Sequence, residues 1–143
     1  MTNPTQDVLF YVLASSDARS RELFLIKLLS KALKQQRRID VRFAHPQDAQ
    51  RFDQTLWTTP EHSYFPHAFE HQVDAPIQLF GAQISSPCND VLINLHPDFF
   101  DQFNRYQRTI EVLDQSVELI EKGRLRWRQY KQQGIEPTLH KLG

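Results

Sequence analysis

A chain of 143 residues with 40% hydrophobic and 24% charged side chains can enclose one core, and that composition is ordinary for a globular protein and argues against disorder. No apolar run approaches the roughly 20 residues of a membrane-spanning helix, and the opening MTNPTQD lacks the basic and apolar blocks of a signal peptide. Seventeen Lys/Arg balance seventeen Asp/Glu, while a lone cysteine, Cys88, excludes an internal disulfide and the common Cys-rich zinc sites, so a cytoplasmic protein is expected.

In chain order, residues 8–13 (VLFYVL) form a continuous apolar run that predicts a buried first strand. A loop at 14–17 supplies helix N-cap candidates, and a helical pattern follows over about 19–36. Its apolar positions Leu25, Leu28, Leu29, Ala32 and Leu33 share one side, with Lys27, Lys31 and Lys34 on another. Residues 39–43 alternate like a strand, and a short helix over about 47–56 follows Pro46. Residues 58–76 hold three of the eight prolines and three of the six histidines and read as loop. Strands are expected at 77–80, 90–95 and 109–113, with a helix at 98–106 between the last two. A last helix is expected over about 116–133, capped by Asp114 or Gln115 and stopped by Gly134. Strands alternating with helices imply a single α/β domain over 1–143, its largely parallel sheet covered on both faces.

Charge is unevenly placed. Residues 45–121 carry three basic against twelve acidic side chains, whereas 122–143 carry six against one. A basic pole on an acidic body suits an acidic partner, whether nucleic acid or peptide, although a solvated helix face gives the same count.

Two chemical motifs invite a reading and fail on composition. The first strand–loop–helix has neither the glycines nor the lysine of a phosphate loop, so nucleotide binding is not expected. His67, Glu70 and His71 match the H-x-x-E-H pattern of one zinc-peptidase class, but Pro60, Pro66 and Pro76 leave no room for the long helix that pattern needs. No catalytic residue, metal or cofactor is therefore assigned.

Two other features fit docking. Trp57, Pro60, Tyr64, Phe65 and Pro66 crowd aromatics and prolines into one expected loop, which either forms a protein-docking patch or caps the domain's own core. On the last helix, Leu119, Ile120, Gly123, Trp127 and Tyr130 should face the core. Arg124, Arg128 and Lys131 form a stripe beside Trp127, with Val117 at its N-terminal end. That stripe is either a solvated basic face or a set of cations for a short acidic peptide ending in a hydrophobic residue.

Together these segments resemble the chi subunit of bacterial DNA polymerase III. The likeness rests on Phe10-Tyr11-Val12-Leu13, on the Trp57–His67 segment with its two prolines, and on residues 90–95 (DVLINL). It continues through Arg124, Arg126, Trp127, Arg128, Tyr130, Lys131 and Gly134. The resemblance implies a three-layer α/β/α fold of nucleotide-binding-like topology without a phosphate loop. It also implies a non-catalytic accessory role in a nucleotidyltransferase holoenzyme at the nucleoid-associated replisome. The implied partners are the psi subunit, which tethers chi to the clamp loader, and the acidic C-terminal tail of single-stranded-DNA-binding protein. Single-stranded DNA would be reached only indirectly, and no membrane is involved. Tail binding would fall on Arg124 and Arg128 beside Trp127, with Val117 and Lys131 flanking, and psi binding on Trp57, Pro60, Tyr64, Phe65 and Pro66. The competing expectations are direct nucleic-acid binding through the basic C-terminal helix and the lysines at 27, 31 and 34, and a hydrolase using His67, Glu70 and His71.

Overall fold

The computed structural model describes residues 6–58 and 65–142. Seven parallel strands form one sheet: β1 (Asp7–Val12), β2 (Ile39–Arg42), β3 (His67–Phe69), β4 (Ile77–Phe80), β5 (Val91–Asn94), β6 (Arg108–Leu113) and β7 (Thr138–Lys141). Their order is β3-β4-β2-β5-β6-β1-β7. Helices α1 (Ala18–Lys34) and α2 (Pro46–Trp57) cover one face, and α3 (Val117–Gln132) with the 96–106 segment covers the other. This is the expected α/β/α layering, with a sheet that is wholly parallel.

Alternation along the strands divides the core into two layers. Ile39, Val41, Ile77, Leu79, Val91 and Ile93 point towards α1 and α2, where Leu25, Leu29, Phe52 and Leu56 meet them. Val8, Phe10, Leu92 and Leu113 point the other way, onto Phe100, Phe103, Tyr106 and Tyr130. Central strands are covered on both faces, which explains their nearly uninterrupted apolar sequence.

Helix boundaries follow local chemistry. Asp17 caps α1, its Oδ1 accepting from the Ser20 amide at 2.8 Å, and Lys31 and Lys34 lie in the last turn, where a cation suits the helix dipole. Pro46 opens α2, where its missing N–H costs nothing. The N-cap of α3 is Ser116, one residue beyond Gln115 and two beyond Asp114, the expected caps; Asp114 accepts instead from the Ser116 amide at 2.9 Å and shapes the turn into the helix. Gly134, at φ 84°, takes the left-handed conformation that ends α3.

Three expectations are corrected. Residues 98–106 form an irregular apolar segment with a single 3-10 turn at Phe103–Arg105, held by burial of Phe100, Phe103 and Tyr106 more than by helix hydrogen bonds. Strand β3 lies inside the stretch read as loop, because β4 offers a free edge and pairs with it from His67 to Phe69. Strand β7 also went unforeseen. Its sequence, Thr138-Leu139-His140-Lys141, carries no alternation of its own, and it becomes a strand by pairing with β1.

Candidate functional site

A groove of about 700 Å³ runs between α3 and the β1–β7 edge of the sheet. Phe10, Val12 and Leu113 supply its floor; Ile120, Arg124 and Trp127 form one wall; Leu139, Lys141 and Leu142 form the other. Ile120, Arg124 and Trp127 are spaced i, i+4, i+7, so one stripe of α3 faces the opening. Gly123 lies beneath that stripe, and a Cβ there would come within 2.5 Å of Leu113 Cδ1. The missing side chain lets the helix approach β6 closely.

The rotation of α3 about its axis decides which side chains reach the groove, and a buried polar cluster fixes it. Glu111, fully buried in β6, accepts from Arg126 Nε at 3.0 Å, Tyr130 Oη at 2.7 Å and Asn94 Nδ2 at 3.1 Å. Asn94 Oδ1 in turn accepts from an Arg42 guanidinium nitrogen at 3.1 Å, and that guanidinium lies 4.6 Å over the Phe100 ring. Burial pushes the Glu111 carboxyl up, while Arg126, Tyr130 and Asn94 pull the other way by stabilising its anion. Removing one member of such a set leaves another buried without its partner, so the set tolerates only one helix setting. Phe10 meets Trp127 edge-on at 5.0 Å and Tyr130 at 5.9 Å, which fixes the indole at the groove mouth.

The groove is electrostatically one-sided. Arg124 and Lys141 contribute two cations, and no carboxylate lines it among the described residues. Arg124 and Arg128 form no ion pair among the described residues, whereas Lys131 lies 3.8 Å from Glu136 and Lys122 lies 3.9 Å from Asp98. An unpaired guanidinium beside an apolar floor can bind a carboxylate while an adjoining apolar side chain enters the floor.

Of the five residues expected to form this site, Arg124 and Trp127 line the groove. Val117, which is 72% exposed, lies a turn or more towards the N-terminus, and Arg128 and Lys131 stand outside on the exposed part of the helix. Sequence reading missed the far wall, because Leu139, Lys141 and Leu142 belong to the unforeseen β7 segment. It also missed Glu111 and Arg126, whose burial no single-sequence pattern marks.

The second expected patch is divided by burial. Trp57, 65% exposed at the end of α2, packs against the His67 ring at 4.9 Å, whereas Phe65 is buried in the α1–α2 core layer. Pro66 is half-buried, and Pro60 and Tyr64 lie outside the described residues. For Phe65, the core-capping alternative is the one the packing supports.

The H-x-x-E-H residues do not share a helix. His67 is in β3, its Nδ1 2.6 Å from the Phe65 carbonyl and its Nε2 3.0 Å from Asp53 Oδ1. Glu70 and His71 follow in a turn at φ 46° and 62°, and His71 Nε2 contacts the Ser85 carbonyl at 2.8 Å. Among the described residues no three His, Cys, Asp or Glu side chains gather around a possible metal position. Burial pushes the Cys88 thiol up to about 12, which keeps it protonated and unreactive at neutral pH. At the head of α1, the Asp17 carboxylate itself occupies the position a bound phosphate would take, accepting from the Ser20 amide and hydroxyl.

Residues 5–138 match the family described as DNA polymerase III chi subunit, HolC. The chain belongs to that family. It is also similar to the DNA polymerase III subunit chi of Pseudomonas aeruginosa, with 27% identity over 137 residues, covering 93% of this chain and 94% of the relative. Membership makes it an accessory subunit of the polymerase III holoenzyme, in DNA replication, and the family's name points to no catalytic activity of its own. No helix among the described residues is long and apolar enough to cross a membrane.

Proposed function

We propose that this subunit is an adaptor in the replisome, tethered to the clamp loader through a psi subunit on the Trp57 side. Its α3–β7 groove takes the acidic C-terminal tail of single-stranded-DNA-binding protein. The observation that carries the reading is the groove itself: an apolar floor, the unpaired Arg124 and Lys141, and no lining carboxylate. A peptide ending in a hydrophobic residue presents both complements at once, a side chain for the floor and a terminal carboxylate for Arg124. Val117, Trp127, Arg128 and Lys131 extend the contact along α3, with Arg128 and Lys131 drawing upstream aspartates by screened attraction. On the psi side the contact draws on Trp57 and Pro66, together with Pro60 and Tyr64 of the same sequence segment.

Direct binding of nucleic acid is less well supported. The exposed lysines at 27, 31 and 34 lie on α1, across the sheet from Arg124 and Arg128, so the two cation sets form no continuous phosphate track.

Calorimetric titration with a synthetic peptide of several aspartates and a free C-terminal Phe tests the tail reading. Charge-assisted carboxylate bonds of about 1.5–3 kcal/mol predict at least a tenfold loss for Arg124→Ala, persisting at high salt. Lys131→Ala should lose less, and the loss should vanish as salt is raised. Equal, salt-abolished losses in both variants would mean diffuse attraction and no shaped site.

A further inference from the structure

The groove's outer wall is also the edge of the sheet. Strand β7 pairs with β1 on one side and, among the described residues, has no neighbour on the other. The Leu142 amide donates to the Val12 carbonyl at 2.9 Å, which fixes the strand's parity: the main-chain groups of His140 and Leu142 face β1. Those of Leu139 and Lys141 therefore face outward. The register pairs Leu139 with Phe10 and Lys141 with Val12, so these two side chains share the face that α3 covers and line the groove. Two of the three residues that wall the groove on this side, Leu139 and Lys141, thus also turn their N–H and C=O groups to the outer edge of the sheet.

We infer that an acidic, extended peptide binds here as an eighth strand, hydrogen-bonded to the main chain of Leu139 and Lys141. Alternate side chains of that strand enter the groove towards Trp127. The inference rests on the tail-docking reading above and adds the backbone geometry of the bound peptide. Strand addition supplies affinity from main-chain bonds that need no particular sequence, while the groove selects the side chains. Charge complementarity selects the occupant. Arg124 and Lys141 line the groove along this edge, all four β7 residues are exposed, and Glu136 is the one acidic residue after position 121. A basic edge with one apolar residue, Leu139, resists pairing with a second copy of itself and favours an acidic strand.

The test compares Lys141→Ala with Lys141→Pro, using the aspartate-rich peptide with a free C-terminal Phe. Both variants lose the ammonium group, and only proline also loses the outward N–H. Proline is tolerated where the amide of an edge strand faces away from the sheet, and it biases His140 towards the extended backbone it already has. Lys141→Pro should therefore bind about five- to tenfold more weakly than Lys141→Ala, the effect of one lost main-chain bond. Amide hydrogen exchange supplies the second measurement on the wild-type chain. Peptide should slow exchange at Leu139 and Lys141 by at least about tenfold, the scale of one such bond. Equal affinities for the two variants, or unchanged exchange at those amides while the Trp127 indole resonance shifts, would overturn strand addition and leave groove binding intact. Absence of any binding to wild type would overturn both.

Discussion

Trp57 and Phe65 are both large aromatics from the same aromatic- and proline-rich segment, yet burial gives them different roles. Phe65 is 5% exposed within the core layer under α1 and α2, and Trp57 is 65% exposed. Phe65→Ala should cost about 3–5 kcal/mol by leaving a cavity. Trp57→Ala should change stability by no more than about 0.5 kcal/mol, as surface substitutions do, while weakening the proposed psi heterodimer. Urea unfolding of both variants with a binding assay on Trp57→Ala checks this, and a strongly destabilised Trp57→Ala would make it a core residue. Asp40 supports a second residue-scale prediction. Burial raises its pKa, against the Tyr106 hydroxyl at 2.7 Å and the Cys88 amide at 3.0 Å, both of which donate to Oδ2. A carboxyl whose folded pKa is raised stabilises the fold below its unfolded pKa of about 3.9, and that contribution is lost as pH rises through the folded value. Asp40→Asn cannot ionise, so its stability relative to wild type should increase between about pH 4 and pH 7. Urea midpoints that run parallel across this range would contradict the assignment.

At the scale of elements, α3 and β7 together make the groove, and Gly123 sets how closely α3 lies on the sheet. In Gly123→Ala the new methyl meets the buried Leu113 side chain at 2.5 Å. Overpacking of about 1–3 kcal/mol exceeds the roughly 1 kcal/mol that alanine gains over glycine inside a helix, so a net loss near 1 kcal/mol is expected. Gly123 and Leu113 both line the groove, so peptide affinity should fall as well; a variant that is more stable and binds unchanged would show that the close approach has no role. The sheet-facing side of α3 was legible from sequence because Gly123 and Tyr130 recur at helical spacing. Arg126 was not, since a buried arginine becomes intelligible only when Glu111 from β6 is seen to receive it at 3.0 Å. The central strands were legible because coverage on both faces makes each an apolar run. The edge strands β3 and β7 were not, because pairing with a neighbour, and not their own sequence, makes them strands. Half of the groove was hidden for that reason: Arg124 and Trp127 could be chosen from the helix alone, and Leu139 and Lys141 could not.

For the molecule as a whole, sheet order governs the arrangement. Strand β3, beside Trp57, and strand β7, beside the groove, are the two edges of the same seven-stranded sheet. Six interstrand steps of about 4.8 Å place them roughly 29 Å apart, and several packed strands make the span rigid. An adaptor of the proposed kind, built this way, would need no conformational change to hold two partners. The sites should be independent, with neither partner altering the other's affinity by more than measurement error. Sedimentation velocity tests the account most directly, with this chain, a psi subunit and a fluorescent aspartate-rich peptide ending in Phe mixed above their dissociation constants. The expected result is one species carrying all three, with the peptide lost from it on Arg124→Ala and psi lost on Trp57→Ala. Displacement of the peptide by psi, or of psi by the peptide, would place both partners on one surface and contradict the adaptor reading.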